Sequence, residues 1–194
     1  MRKKIKTVCE IGGGFGSLAR IILNNYDCKY FCIDLPEANF LTSYYLHENF
    51  PLKKIYIYDN YLKEKDGFVS SVSIENFDIF MLAPWAKFND ELKIDLFINS
   101  RSMMEMEFAV IKKYFNIIHK YISDDGFFLN INDYTKRQLA LVVEKFVYEK
   151  QKRSTSLINL HDFSYDNNWE VKLSKKSFKQ LHIHFLLTQR KFSN

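Results

Sequence analysis

The chain has 194 residues, of which 47% are apolar and 26% charged, a composition typical of a folded domain with its own hydrophobic core. No run of about 18 apolar residues predicts a membrane span, the start lacks a signal-peptide apolar segment, and the three cysteines lack the spacing of a zinc site or disulfide framework. The net charge of +5 is too small to indicate nucleic-acid binding. We expect one cytoplasmic domain over residues 1–194 with no bound metal.

The chain begins with alternating strand and helix signals. Thr7–Ile11 is a β-prone run that leads into a glycine-rich turn, Gly12–Gly16, and apolar residues then recur at helical spacing. A second strand, Tyr30–Ile33, ends at Asp34, and another helix follows it. The residues expected on the inner face of this second helix are Phe40, Leu41, Tyr44 and Tyr45.

Three more buried strands are predicted downstream, at Phe77–Leu82, Ile94–Ile98 and Phe127–Ile131, with a small extra strand at Ile55–Tyr58. Such near-continuous apolar runs are typical of parallel sheets. A long helix is predicted between the last two buried strands, with apolar residues from Met104 to Ile122 and an end at Asp124–Gly126.

The last third of the chain has a different pattern. Leu139–Phe146 marks one more helix, and Trp169–Phe178 and Leu181–Leu187 predict an antiparallel hairpin. The whole pattern indicates an α/β fold: a mostly parallel seven-stranded sheet that ends in the hairpin and carries helices on both faces. A ligand is then expected beyond the carboxyl ends of the strands.

The glycine-rich turn predicts a site for a nucleotide-like ligand, because glycines allow close backbone approach and the next helix offers N–H donors. The dinucleotide fingerprint G-x-G-x-x-G would need glycine where Ser17 stands, which weakens the hypothesis of a nucleotide-dependent oxidoreductase. Glu10, two residues before the first glycine, favours a ligand that carries a positively charged amino-acid portion.

With these residues the chain resembles the class I S-adenosylmethionine-dependent methyltransferases, whose first motif, E/D-x-G-x-G-x-G, is matched by Glu10–Gly16. Asp34, 34 − 16 = 18 residues after the last glycine, matches the family's acidic residue that binds both ribose hydroxyls. Three segments are further similar to the bacterial sugar O-methyltransferases, namely Asp34–Pro36, Leu82–Trp85 and Asp95–Met106.

The resemblance implies a Rossmann-like methyltransferase that transfers a methyl group from S-adenosylmethionine to a sugar hydroxyl in bacterial surface polysaccharide synthesis. Members of that family generally carry a helical region before the first motif, whereas six residues precede the first strand here. Two alternatives follow: the protein closes its site as a homodimer, or it is a truncated, noncatalytic cofactor-binding protein.

The cofactor-binding residues that the resemblance implies are Glu10, Gly12, Gly14, Gly16, Asp34, Leu35, Pro84, Trp85 and Asn99. Asp34 also suits a helix cap, although ribose binding is favoured, and Trp85 suits either stacking on adenine or packing within its loop. Ala83–Trp85 is also similar to the D/N-P-P-Y/W motif of methyltransferases that act on nucleic-acid bases. It lacks the acidic or amide residue of that motif and lies one strand too early, which argues against a nucleic-acid substrate, retained as an alternative because of the mild positive charge.

Glu105 and His161 are the candidate bases for the acceptor hydroxyl. Ser102-x-x-Glu105 also reads as a capping box before the long helix, an interpretation that competes with catalysis. Asn132, Asp133 and Tyr134 follow the fifth strand, where they bind the sugar or form a turn. The hairpin is rich in lysine, which indicates a solvated face or contact with phosphate groups or an anionic membrane.

Overall fold

The computed structural model describes residues 4–136, 158–180 and 182–191. The strands are β1 (Thr7–Ile11), β2 (Lys29–Ile33), β3 (Ile55–Tyr56), β4 (Ile79–Leu82), β5 (Ile94–Ser100), β6 (Ile122–Asp133), β7 (Thr135–Lys136), β8 (Ile158–Asn159), β9 (Trp169–Lys176) and β10 (Ile183–Arg190). The helices are α1 (Ser17–Asn25), α2 (Pro36–Asn49), α3 (Tyr58–Leu62), α4 (Ser71–Asn76) and α5 (Phe108–Tyr121), and Leu160–Asp162 forms a 3-10 turn. The helix predicted around Leu139–Phe146 lies outside the described residues.

Eight of these strands form one sheet, in the order β3-β4-β2-β1-β5-β6-β10-β9, and β7 pairs with β8 separately. Within the eight-stranded sheet β10 runs antiparallel to its neighbours β6 and β9, whereas the other strand pairs of that sheet are parallel. The mostly parallel sheet with a C-terminal antiparallel hairpin is therefore confirmed. The expected count of seven strands is wrong by one, because the small strand β3 pairs with β4 and extends the edge.

Successive residues of a strand point to opposite faces of the sheet, so the apolar strands present apolar side chains on both faces. Helices cover both of these faces. On one face, Ile111 and Phe115 of α5 pack in one cluster with alternate residues of the central strands, including Cys9, Phe31 and Phe97. On the other face, α1 and α2 pack against the neighbours of those residues, and this second cluster includes Val8, Tyr30, Ile98, Ala19 and Leu46. All three cysteines are buried and free. None of the helices in the described residues is long and apolar enough to cross a membrane.

The inner face of α2 differs from the predicted one. Phe40, Leu41 and Tyr44 are more than half exposed, and the residues that point into the protein are Asn39, Thr42 and Leu46. The prediction is correct for Tyr45, which packs against the second cluster, and wrong for the other three residues, because it followed apolar spacing alone. Hydrogen bonds to the sheet orient this helix.

Two short polar side chains make those bonds. Asn39 Nδ2 donates to the carbonyl oxygens of Leu82, at 2.9 Å, and of Asp34, at 3.0 Å, while Thr42 Oγ1 donates to the carbonyl oxygen of Gly14. These bonds join α2 to the ends of β2 and β4 and to the glycine-rich turn. Buried carbonyl groups need hydrogen-bond partners. These hydrogen bonds therefore decide which face of α2 is buried, even though several apolar side chains stay exposed.

We expect Phe115→Ala to lower the free energy of unfolding by about 3–5 kcal/mol, because truncating a buried phenylalanine leaves a cavity. Phe115 is fully buried, and its ring lies 4.8 Å from that of Tyr165 and 5.7 Å from that of Phe128. Urea unfolding measures the loss. Val110→Ala is the control, because Val110 lies on the same helix and is 37% exposed. Equal effects of the two substitutions would contradict the assignment of α5 to the core.

Candidate functional site

The glycine-rich turn between β1 and α1 can be formed only by glycine at its key positions. Gly12, Gly14 and Gly16 have φ angles of 76°, 55° and 88°, in the left-handed region that other residues rarely adopt. A Cβ on Gly12 would lie 2.1 Å from Ser102 Oγ, and one on Gly16 would lie 2.8 Å from Thr42 Cγ2. A Cβ on Gly14 would meet nothing within 4 Å. Gly14 therefore faces open space beyond the end of β1.

Asp34 spans from the end of β2 to this turn. Its Oδ2 accepts a hydrogen bond of 2.8 Å from Gly14 N, and its Oδ1 accepts one of 2.7 Å from Leu35 N. The N-cap residue of α2 is Leu35, and no side chain caps the helix, so the helix-cap interpretation of Asp34 is wrong. Each carboxylate oxygen keeps a further lone pair, and the side chain is half-buried beside the open space at Gly14.

Glu10 lies beneath the turn and is only 2% exposed. Its Oε2 accepts a hydrogen bond of 2.6 Å from the Tyr30 hydroxyl and would lie 3.2 Å from a Cβ on Gly13. Burial, with a smaller contribution from the charge of Asp34, raises the pKa of Glu10 to about 7 against the opposing effect of the Tyr30 hydrogen bond. The turn thus separates Glu10 from solvent, so a ligand can contact this carboxyl group only if the turn moves.

Asn99 joins the carboxyl ends of three neighbouring strands. Its Nδ2 donates to the carbonyl oxygen of Ile11 at 2.8 Å and to Ser102 Oγ at 2.5 Å. Its Oδ1 accepts from Asn132 Nδ2 at 2.7 Å and from Met103 N at 3.2 Å. Every polar atom of this fully buried side chain therefore has a protein partner.

Asn132 is engaged in the same way, because its Oδ1 accepts a hydrogen bond of 3.2 Å from Met104 N and its Nδ2 also donates to Asn130 Oδ1. The two amides together position residues 101–106, the segment that follows β5. In this arrangement both side chains hold the backbone of the site and leave no polar atom free for a ligand.

Glu105 lies in that segment and is exposed. The capping-box interpretation is wrong, because α5 begins three residues later, at Phe108, and its N-cap is Glu107. Ser102 Oγ cannot serve as the cap, since it donates to the carbonyl oxygen of Ile11 at 3.1 Å. Glu105 is thus free of the structural role that competed with catalysis.

Leu35, Pro84 and Trp85 follow two adjacent strands, β2 and β4. Leu35 is 59% exposed and Trp85 is 56% exposed, and Trp85 Nε1 donates to the Tyr58 hydroxyl at 3.4 Å. A pocket of about 300 Å³ lies next to them, between α2 and the segments after β3 and β4. Its lining includes Pro36, Asn39, Phe40, Tyr58 and Ala83.

His161 and Tyr134 lie at a second place, near the ends of β6 and β10. The Tyr134 ring lies 5.1 Å from the ring of His184 and 6.3 Å from that of His161, centroid to centroid. Ser174 Oγ lies 2.7 Å from His184 Nε2 and 3.5 Å from His161 Nε2. No sequence motif marks Ser174 or His184 as a site residue, and the signals for them are the alternation of His182 and His184 along the last strand and the polar pattern of the hairpin.

The predicted site residues therefore fall into two groups. One group surrounds the glycine-rich turn, and the other, with Asp133, Tyr134 and His161, lies near β6 and β10. Three strand spacings separate β1 from β10, or roughly 14 Å. Glu105 belongs to the segment between the two groups, because it follows β5.

No protein-family model matches the chain, and no curated protein matches its sequence. Its fold is similar to several solved structures. The mitomycin 7-O-methyltransferase MmcR superposes with a TM-score of 0.56 at 12% identity, over 96% of this chain and 49% of that one. The pyocyanin biosynthetic protein PhzM superposes with a TM-score of 0.54 at 11% identity, over 98% of this chain and 52% of PhzM. A mutant of MtNAS in complex with S-adenosylmethionine superposes with a TM-score of 0.52 at 10% identity, over 98% of this chain and 56% of MtNAS.

This chain spans about half the length of MmcR and PhzM. At such identities the similarity concerns the fold alone. Without its edge strand β3, the sheet has the order β4-β2-β1-β5-β6-β10-β9, with β10 as the antiparallel strand. The protein therefore has the class I S-adenosylmethionine-dependent methyltransferase fold.

We expect Glu10→Gln to change how stability depends on pH. The pKa of Glu10 is about 7 in the folded protein and about 4.3 in an unfolded chain. Between these values the folded state binds a proton that the unfolded state does not, so the free energy of unfolding falls by about 1.4 kcal/mol per pH unit as pH rises.

Glutamine removes this contribution and keeps an oxygen for the Tyr30 hydroxyl. Urea unfolding of both proteins at several pH values is the measurement. The native protein should lose stability relative to Glu10→Gln from pH 4.5 to 7, and the difference should level off above pH 7. Parallel curves across that window would contradict the raised pKa of Glu10.

Proposed function

We propose that the protein is an S-adenosylmethionine-dependent methyltransferase that methylates a sugar hydroxyl in bacterial surface polysaccharide synthesis. The observation that carries this proposal is the position of Asp34. Its half-buried carboxylate is bonded to Gly14 N, at the place where the glycine-rich turn opens to space. A carboxylate held there can accept two vicinal hydroxyl groups, as a ribose presents.

The residues around this opening fit the cofactor. S-adenosylmethionine, when bound, supplies a methyl group on a positively charged sulfur. Gly14 admits the ligand and Asp34 accepts from the ribose hydroxyls. The exposed side chains of Leu35 and Trp85, with the half-buried Pro84, offer apolar surface to adenine. We assign positioning roles to Glu10, Gly12, Gly16 and Asn99, because they shape the turn and are enclosed by protein partners.

The acceptor hydroxyl needs a base, because it loses its proton as the methyl group is transferred. We propose Glu105 for this role, since it is exposed on the segment that Asn99 and Asn132 hold at the mouth of the site. His161 is the second candidate. Asp133 and Tyr134 contact the sugar in this proposal, and Asn132 acts through the backbone that it positions.

The sugar acceptor is supported by the similarity of Asp34–Pro36, Leu82–Trp85 and Asp95–Met106 to the bacterial sugar O-methyltransferases. The O-methyltransferase MmcR, similar in fold, is named for a different acceptor, mitomycin. We further propose that the protein acts in the cytoplasm as a homodimer. The exposed apolar side chains of α2, Phe40, Leu41 and Tyr44, support the dimer, because monomers rarely leave such a group in water.

Calorimetric titration with S-adenosylhomocysteine, and separately with NAD, tests the cofactor. We expect micromolar binding of the first and none of the second. Asp34→Ala should weaken S-adenosylhomocysteine binding about 10- to 100-fold, because a charge-assisted hydrogen bond contributes about 1.5–3 kcal/mol. Asp66→Ala, at an exposed loop position, is the control. Unchanged affinity of Asp34→Ala would refute its role, and binding of neither ligand would refute the proposed function.

Glu105→Gln tests the base. Methyl transfer from labelled S-adenosylmethionine to a panel of sugars and nucleotide sugars is the assay. We expect the variant to bind S-adenosylhomocysteine as the native protein does and to lose at least about 100-fold in transfer rate, because general bases contribute about 10²–10⁴-fold. Glu107→Gln, also exposed and two residues away, should stay active. A fully active Glu105→Gln would transfer the role to His161, and cofactor binding without any turnover would favour a noncatalytic protein.

A further inference from the structure

A serine hydroxyl lies between two imidazole rings on the hairpin. Ser174 Oγ lies 2.7 Å from Nε2 of the buried His184 and 3.5 Å from Nε2 of the exposed His161. His184 is 6% exposed, and its Nδ1 has no partner among the described residues. Those residues also contain no group of three side chains that could hold a metal ion.

The position of His161 is specified by its surroundings. Asn159 Oδ1 accepts a hydrogen bond of 2.8 Å from His161 N, and Asp162 Oδ2 accepts one of 3.0 Å from Asn159 N. Leu160, between them, is 1% exposed in the core, and its N–H donates to the carbonyl oxygen of Tyr134 at 3.1 Å. The 3-10 turn thus holds this imidazole beside the end of β6.

Lys176 brings a positive charge to the same place. In the hairpin register Lys176 is opposite His184, and Ser174 is opposite Leu186. Residues opposite each other in a sheet share a face, with Cβ atoms about 4.5–5.5 Å apart. Lys176, Ser174 and His184 therefore lie on one face of the hairpin.

The positive charge of Lys176 beside Ser174 and His184 is not balanced by a carboxylate among the described residues. Asp162 Oδ2 is bonded to Asn159 N, and Asp133 alternates onto the opposite face from Asn132, where its Oδ1 lies 3.9 Å from His182 Nε2. Burial lowers the pKa of His184, and the nearby His161 and Lys176 lower it further. In the part of the chain that the structure describes, no carboxylate is in hydrogen-bond contact with His161, Ser174, His184 or Lys176.

We propose that His161, Ser174 and Lys176 form a subsite for the phosphate group of a phosphorylated sugar acceptor. This inference rests on the proposed function and names the class of its substrate. An imidazole N–H, a hydroxyl and an ammonium group are all donors, and a phosphate offers several acceptor oxygens and a negative charge. A sugar 1-phosphate and a nucleotide sugar share this chemistry.

The distance between this subsite and the residues around the glycine-rich turn is suitable for such a substrate. A phosphate at the start of β10 lies roughly 14 Å, three strand spacings, from the turn after β1. A sugar ring attached to it would extend toward Glu105, and the 39% exposed Tyr134 would lie alongside. The phosphate would then orient the ring so that one hydroxyl reaches the base.

NMR titration with glucose 1-phosphate at constant ionic strength tests the subsite without cofactor or turnover. We expect saturable shifts of the ring resonances of His161 and His184. Lys176→Gln and Ser174→Ala should each raise the dissociation constant about tenfold, as expected for the loss of one charge-assisted hydrogen bond. Lys172→Gln is the matched control, because Lys172 lies on the same strand and its Nζ already pairs with Glu170 at 2.9 Å. It should change the constant by less than about twofold.

Absence of saturable shifts, or equal effects of Lys176→Gln and Lys172→Gln, would overturn the subsite. Parallel titrations with glucose and with inorganic phosphate identify the ligand. Glucose should not shift these resonances, and tighter binding of glucose 1-phosphate than of inorganic phosphate supports an acceptor site. Equal binding of the two phosphates would overturn the acceptor assignment. If S-adenosylhomocysteine fails to bind while glucose 1-phosphate binds, the proposed function fails and the phosphate subsite stands.

Discussion

The side chain of Asn99 is the contact on which the geometry of the carboxyl edge depends. It bonds at once to the main chain of β1, to the segment after β5 and to Asn132 on β6, and it is fully buried. A buried amide with all partners present holds its neighbours firmly, since the loss of any one bond leaves an unsatisfied polar group in the core. The three strand ends therefore keep one relative arrangement, and residues 101–106 are held with them.

The glycine-rich turn is fitted into the same frame by steric contact. Ser102, which Asn99 holds, would collide with any side chain at position 12, and Thr42 of α2 would collide with one at position 16. Gly14 alone of these three faces open space, and Asp34 bonds to its N–H. The helix α2, the segment after β5 and the end of β2 thus define one opening, so the turn, α2 and that segment depend on one another.

The hairpin adds a second polar place at the other end of this edge. β10 inserts antiparallel between β6 and β9, and this brings His184 beside Asn132 and Ser174 beside Leu186. The 3-10 turn at Leu160–Asp162 then adds His161 from a third segment. The carboxyl edge of the sheet therefore carries two separate polar regions, one at the glycine-rich turn and one at the hairpin.

Local pattern was sufficient to predict the order of the main strands with α1, α2 and α5, the glycine-rich turn and the place of Asp34, because each depends on residues near one another in the chain. It did not predict the short helices α3 and α4 or the strands β7 and β8. The tertiary structure alone decided the buried face of α2, where Asn39 and Thr42 replace the expected aromatic side chains, and it removed the capping role of Ser102. It also decided the Asn99–Asn132 contact and the grouping of Ser174 with two histidines. The reason is that these side chains take hydrogen-bond partners from strands distant in sequence, and apolar periodicity carries no information about such partners.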